Sequence, residues 1–248
     1  MTPPAASSKS ARPADALPTV LIPGLLCTPR LYAEQLSALW RFGPVTVADH
    51  TRDDSVAGIA RRLLAAAPPR FALVGLSMGG YTAFEVMRAA PDRVARLALL
   101  DTSARADLPE QGERRRAMIA LACEGRFAEV IEPLFLSWVH PSRRTDVTLR
   151  AIVQGMAEDT GPDAFVRQIT AIMTRPDSRP GLAAIRCPTL VLVGDKDEAT
   201  SPDRAAEIAD GIPGARLVTV PDAGHLTALE QPGHVARALV DWMEMGAR

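Results

Sequence analysis

The stretch FALVGLSMGGYTAFEVM (71–87) opens as an unbroken apolar run and closes with apolar residues at helical spacing. Gly75, Ser77, Gly79 and Gly80 sit at the junction. Glycine inside a buried element weakens it, so three glycines around one serine need a physical reason. A sharp strand-to-helix turn supplies one. Side chains two residues from its apex would collide with the strand and the helix, and glycines avoid this. Gly75-Leu76-Ser77-Met78-Gly79 has the form G-x-S-x-G in the strand–turn–helix setting that gives that motif its meaning. Ser77 is then expected at a helix amino end with its hydroxyl exposed. There, free N–H groups and the helix dipole favour negative charge.

Outward from this stretch, short apolar runs alternate with helical patterns. Strands are expected at PTVLIPG (18–24), GPVTVAD (43–49), RFALVG (70–75), RLALLD (96–101), PTLVLVGD (188–195) and ARLVTV (215–220). Helices are expected at 31–39, 53–67, 79–90, 202–211 and 232–245. This alternation predicts an α/β fold, a mostly parallel central sheet with helices on both faces. Residues 104–175 differ: they read as helical throughout, broken at Gly125, Pro133, Pro141, Gly155 and Gly161. They are expected to form a helical cap insertion over the sheet's carboxyl edge, where open α/β sheets bind ligands. Residues 17–103 and 176–248 form the core. Residues 1–16, rich in Pro, Ala and Ser, read as a mobile tail.

Composition narrows the functional classes. A chain of 248 residues holds one large domain with a substantial core. Its net charge of −1 gives no footing for nucleic acid, and RRR (114–116) reads as a solvated helix face. Cys27, Cys123 and Cys187 are odd in number and lack metal-ligand spacing, which favours free thiols in a reducing, cytoplasmic setting. No apolar run approaches the ~18 residues of a membrane span, and the amino end lacks the apolar stretch of a secretory signal. A monomer or homodimer is expected.

A serine hydroxyl needs a base to become a nucleophile. Of the four histidines, His225 in PDAGHL follows the expected strand 215–220 and so reaches the carboxyl edge. His50 could line the same edge, His140 lies in the insertion and His234 within the last helix. Surface or structural roles are the default for these three. An acid must orient the imidazole and stabilise its cation. The loop VGDKDEATSP offers Asp195 and Asp197; Asp197 reaches further into the loop, whereas Asp195 reads as a turn residue. Asp101, ending strand 96–101, is the remaining candidate.

With Ser77, Asp197 and His225 in that chain order, the sequence resembles the α/β-hydrolase superfamily, in its small, capped serine esterase and lactonase branch. The resemblance covers residues 18–246. It is carried by VGLSMGGYTAFEVMRAAPDRV, LVLVGDKDEATSP and VPDAGHLTALEQP. It implies nucleophile, acid and histidine roles for Ser77, Asp197 and His225. It also implies that the family's first strands are short or missing here. The family's oxyanion hole is formed by two backbone N–H groups, which fall on Met78 and, within LIPGLLC, on Leu25. Pro23 stands where the family commonly has a histidine, which removes a side-chain support.

Serine as nucleophile implies acyl transfer. The expected substrate is a small-molecule carboxylic ester or lactone of small to medium size, cleaved through an acyl-enzyme without metal or cofactor. Leu26, Trp138 and Met156 are the expected pocket residues. Met118, Ile119, Phe127, Phe135, Ile172 and Met173 are further apolar candidates. Carbon–carbon bond hydrolases, the menaquinone-pathway elimination enzyme and cofactor-free haloperoxidases share the same residue set. A hydrolase-like receptor, in which a lid closes on its ligand, is the reading outside enzymes.

Overall fold

The structure, a computed structural model, describes residues 16–245. The expected amino-terminal tail therefore lies almost wholly outside the described residues. Six strands form one parallel sheet: β1 (Thr19–Ile22), β2 (Val45–Val47), β3 (Phe71–Leu76), β4 (Val94–Leu100), β5 (Thr189–Gly194) and β6 (Arg216–Val220). Their order across the sheet is β2-β1-β3-β4-β5-β6. The order reverses at β1, as in doubly wound sheets. Ser77 follows the third strand of this sheet, so the described residues lack the early strands whose shortening the resemblance implied.

Apolar residues cover both faces because successive side chains on a strand point to opposite sides. Val20, Ile22, Leu73 and Leu99 face one cluster, with Ala60 and Leu63 of α2 (Val56–Ala66), Phe84 and Met87 of α3 (Met78–Ala89) and Ile208 of α7 (Pro202–Gly211). Leu21, Val74 and Leu100 face the other, with Leu39 of α1 (Ala33–Trp40) and Leu239 and Trp242 of α9 (Pro232–Glu244). Local chemistry starts these helices. Ser55 accepts a hydrogen bond from the Gly58 N–H at the head of α2, and prolines occupy the first turns of α7 and α9.

Between β4 and β5 run α4 (Pro109–Cys123), α5 (Ala128–Trp138) and α6 (Val147–Met173). Two of the expected breaks are not breaks. Pro133 lies inside α5 and Gly155 inside α6. Pro133 costs α5 one backbone hydrogen bond, but burial of Val130, Phe135 and Trp138 holds the helix together. Gly125, Pro141 and Gly161 do interrupt the chain: Gly125 and Gly161 adopt a φ of 76°, and Pro141 opens a short 3-10 turn. A four-residue helix, α8 (Thr227–Glu230), was not expected from the sequence. No described helix is long and apolar enough to cross a membrane.

Candidate active site

Backbone close-packing explains the glycines around Ser77. A Cβ on Gly75 would stand under 3.0 Å from the Gly79 backbone, one on Gly79 under 3.0 Å from the Ile22 carbonyl, and one on Gly80 under 3.0 Å from the Thr102 side chain. The apex residue takes the strain: Ser77 has φ 54° and ψ −114°. Its N–H donates to the Leu100 carbonyl, and its own carbonyl accepts from the Gly80 N–H and the Thr102 hydroxyl. The turn is thereby fixed to β4, and Ser77 Oγ stands at the head of α3.

Ser77 Oγ is 2.8 Å from His225 Nε2, and His225 Nδ1 is 2.8 Å from Asp197 Oδ2. His225 and Asp197 are both buried. Asp197 Oδ1 accepts from the Ala199 and Thr200 N–H groups, and Oδ2 accepts from the Thr200 hydroxyl. An anion so surrounded keeps its orientation. It would also hold the Nδ1 proton of His225, leaving Nε2 free to accept from Ser77.

The other acidic candidates hold backbone. Asp195 accepts from the Ala223 N–H and so ties the loop after β5 to the loop carrying His225. Asp101, fully buried with φ 45°, accepts from the Gly194 and Thr227 N–H groups and from the Thr227 hydroxyl at 2.5 Å. Burial, and then the Asp197 charge, push its carboxyl well above the ordinary range.

Leu25 and Met78, named for their N–H groups, flank Ser77. Among the described residues neither N–H has an acceptor. A Cβ on Gly24 would meet Ser77 Cβ at 3.4 Å, which shows how closely the Gly24–Cys27 turn abuts the serine. That turn is closed by the Cys27 N–H on the Gly24 carbonyl, with Leu26 at φ 58°. Two buried side chains brace it. His50 Nε2 lies 2.9 Å from the Gly24 carbonyl, and Gln168 Oε1 of α6 accepts from the Leu26 N–H. Burial lowers the His50 pKa, so the ring is neutral and donates.

A cavity of about 400 Å³ opens over Ser77 and His225. Leu25, Tyr81, Met118, Trp138 and Ile172 contribute its apolar wall. Of the three expected pocket residues, only Trp138 lines it. Leu26 is turned into the core by its positive φ, and Met156 is fully buried within the helical packing. RRR (114–116) is not simply a solvated face either, because Arg114 and Arg115 border the cavity. The described residues contain no group of His, Cys, Asp and Glu arranged to hold a metal ion.

The α/β hydrolase fold family profile matches residues 28–232, most of the chain. The chain is a member of the α/β hydrolase family. It is 28% identical over 194 residues to the pimeloyl-[acyl-carrier protein] methyl ester esterase of Chromobacterium violaceum, covering 76% of each chain. A thermophilic esterase from Thermogutta terrifontis superposes with a TM-score of 0.84 at 30% identity, over 92% of this chain and 90% of that one. The enol-lactonase of Burkholderia xenovorans gives the same TM-score at 24% identity, over 94% of both chains, a likeness of fold.

Within this hydrolase, sequence reasoning missed the bracing residues. Thr200 contacts both Asp197 and His225, with its hydroxyl 3.2 Å from His225 Nδ1. Glu230 accepts from the Gly224 and His140 N–H groups and so pins the loop that carries His225. Burial raises its pKa. The Trp138 carbonyl accepts from the His225 N–H at 2.6 Å, which joins the end of α5 to the same loop. The turn that places Thr200 was readable at Asp197 itself, since an aspartate side chain accepts from backbone N–H groups just after it, as Asp197 does from Ala199 and Thr200. Gln168 and Trp138 carried none, because both act across long stretches of chain. His50 and His140 have structural partners, and His234 is exposed on α9.

Proposed function

We propose that this α/β hydrolase cleaves carboxylic esters or lactones of small to medium size through an acyl-enzyme on Ser77. The observation that carries this reading is the continuous chain of 2.8 Å hydrogen bonds from Ser77 to His225 to Asp197 at one wall of a partly apolar cavity. His225 takes the serine proton as Oγ attacks the carbonyl. The developing oxyanion is held by the Leu25 and Met78 N–H groups. His225 then returns the proton to the leaving alcohol, and water repeats the sequence on the acyl-enzyme. Helices α4–α6 act as the cap that bounds the acyl group. The esterases among its relatives support an ester substrate.

A serine-directed phosphonate tests the reading. It should label Ser77 alone, and Ser77→Ala should lose ester hydrolysis while circular dichroism and melting stay near wild type. Near-normal turnover by Ser77→Ala, or labelling elsewhere, would refute the serine mechanism.

A further inference from the structure

Helix α4 lends one face to the cavity. Gln111, Arg114, Arg115 and Met118, all lining residues, fall at helical spacings of three and four. The first three are donors. Gln111 Oε1 is already occupied by the Leu108 N–H, so its amide nitrogen is the end left to a ligand. Arg114 has no ion pair or hydrogen bond among the described residues.

Charge balance behind this face is uneven. Arg115 meets Asp107 through Nε at 2.6 Å and Nη2 at 3.4 Å, and its Nη1 has no acceptor among the described residues. The same Asp107 also takes Arg175 Nη1 at 2.5 Å. Arg115 is 14% exposed, and Asp107 and Arg175 are each 6% exposed. Two guanidinium groups thus share one carboxylate out of solvent, leaving one buried positive charge in excess. Arg175 eases its share by stacking on Tyr81, 4.2 Å from the ring centroid. The carboxylates that border the cavity stand in solvent and do not enter this buried cluster: Glu129, 55% exposed, shares Arg126 with Glu124, and Glu198, 57% exposed, meets Arg144. An uncompensated buried charge is costly unless an anion answers it.

We propose that the substrate carries a carboxylate at the end of its acyl part, seated on the Gln111–Arg114–Arg115 face while its ester or lactone carbonyl lies at Ser77. This rests on the hydrolase reading above. A planar carboxylate matches the forked guanidinium, and its single charge matches the single buried excess. Hydrolysis then releases a dicarboxylate, or a hydroxy dicarboxylate from a lactone.

The test pairs turnover with binding. Monoethyl esters of succinic, glutaric and adipic acid are compared with the ethyl esters of the corresponding monoamides, which are neutral and of the same shape. For at least one length, kcat/KM should favour the acid by about tenfold or more, and the preference should shrink as salt rises. In Arg114→Gln and Arg115→Gln the ratio of acid to amide should fall towards unity. Arg115→Gln leaves Asp107 with Arg175, a balanced pair, so the fold tolerates it. A merely structural Arg115 would lower the melting temperature and leave the ratio unchanged.

Calorimetric binding of the free dicarboxylates to the wild-type chain, against their diamides, reads the anion site without turnover. Equal kcat/KM for acid and amide, or a ratio indifferent to both arginine variants, overturns the inference and leaves the hydrolase reading standing. Dicarboxylate binding that weakens about tenfold in the variants, with neither ester hydrolysed, sustains the anion site and rejects the ester reading. No dicarboxylate binding and no acid preference overturns the anion site outright.

Discussion

His225 touches both Ser77 and Asp197, whereas Asp101 touches β5 and α8. The two aspartates should therefore separate under substitution. Asp197→Asn removes the anion opposite Nδ1 and presents a competing donor, so kcat should fall roughly ten-thousand-fold. Asp101 contacts neither Ser77 nor His225, so Asp101→Asn should lower kcat by less than about tenfold, its cost falling on stability because the amide nitrogen would face the N–H donors of Gly194 or Thr227. Steady-state rates on one ester check both; a damaging Asp101→Asn with a mild Asp197→Asn would reverse the assignment. His50 carries a pH prediction. Burial lowers its folded pKa below 6.5, so the unfolded chain binds the proton first as pH falls. Its contribution to stability is complete above 6.5 and is lost as pH drops through the depressed value. Chemical denaturation at pH 7.5 and 5.0 should show wild type losing more stability than His50→Gln over that interval.

Among the elements, the β3–α3 junction and the α5–α6 helices make opposite demands on packing. At Gly79 an added methyl meets the backbone carbonyl of Ile22, which cannot move without disturbing β1. Gly79→Ala should cost about 3 kcal/mol or more in urea denaturation. Met156 is enclosed within the helical core, so Met156→Ala should cost about 2–5 kcal/mol of stability and leave chain-length preference alone. Trp138 stands at the cavity wall, and its truncation should widen the cavity.

For the molecule as a whole, the cavity over Ser77, about 400 Å³, is finite. Each methylene added to an ester's acyl chain gains roughly 0.8 kcal/mol only while it is buried. Across uncharged p-nitrophenyl esters, kcat/KM should rise, peak and fall, and Trp138→Ala should move the peak to longer chains. A rise continuing through long chains would mean an open groove in place of a bounded pocket.

The strand–helix alternation and the elbow around Ser77 were legible in the sequence because they are local. Apolar period, glycine spacing and turn chemistry act within a few residues; Gly75 is crowded by Gly79 of its own turn, whereas the crowding at Gly79 and Gly80 comes from Ile22 and Thr102 of other segments. The same locality misled at Pro133 and Gly155, where burial overrode the breaking tendency, and at RRR (114–116), where charge alone could not show the cavity. Tertiary structure alone decided what braces the candidate site. Gln168 meets Leu26 across 142 residues, Thr227 meets Asp101 across 126, and Trp138 holds the His225 backbone from another element. Such pairings have no period or spacing to read. They exist because folding brings together polar groups that, once buried, must find their partners in one another.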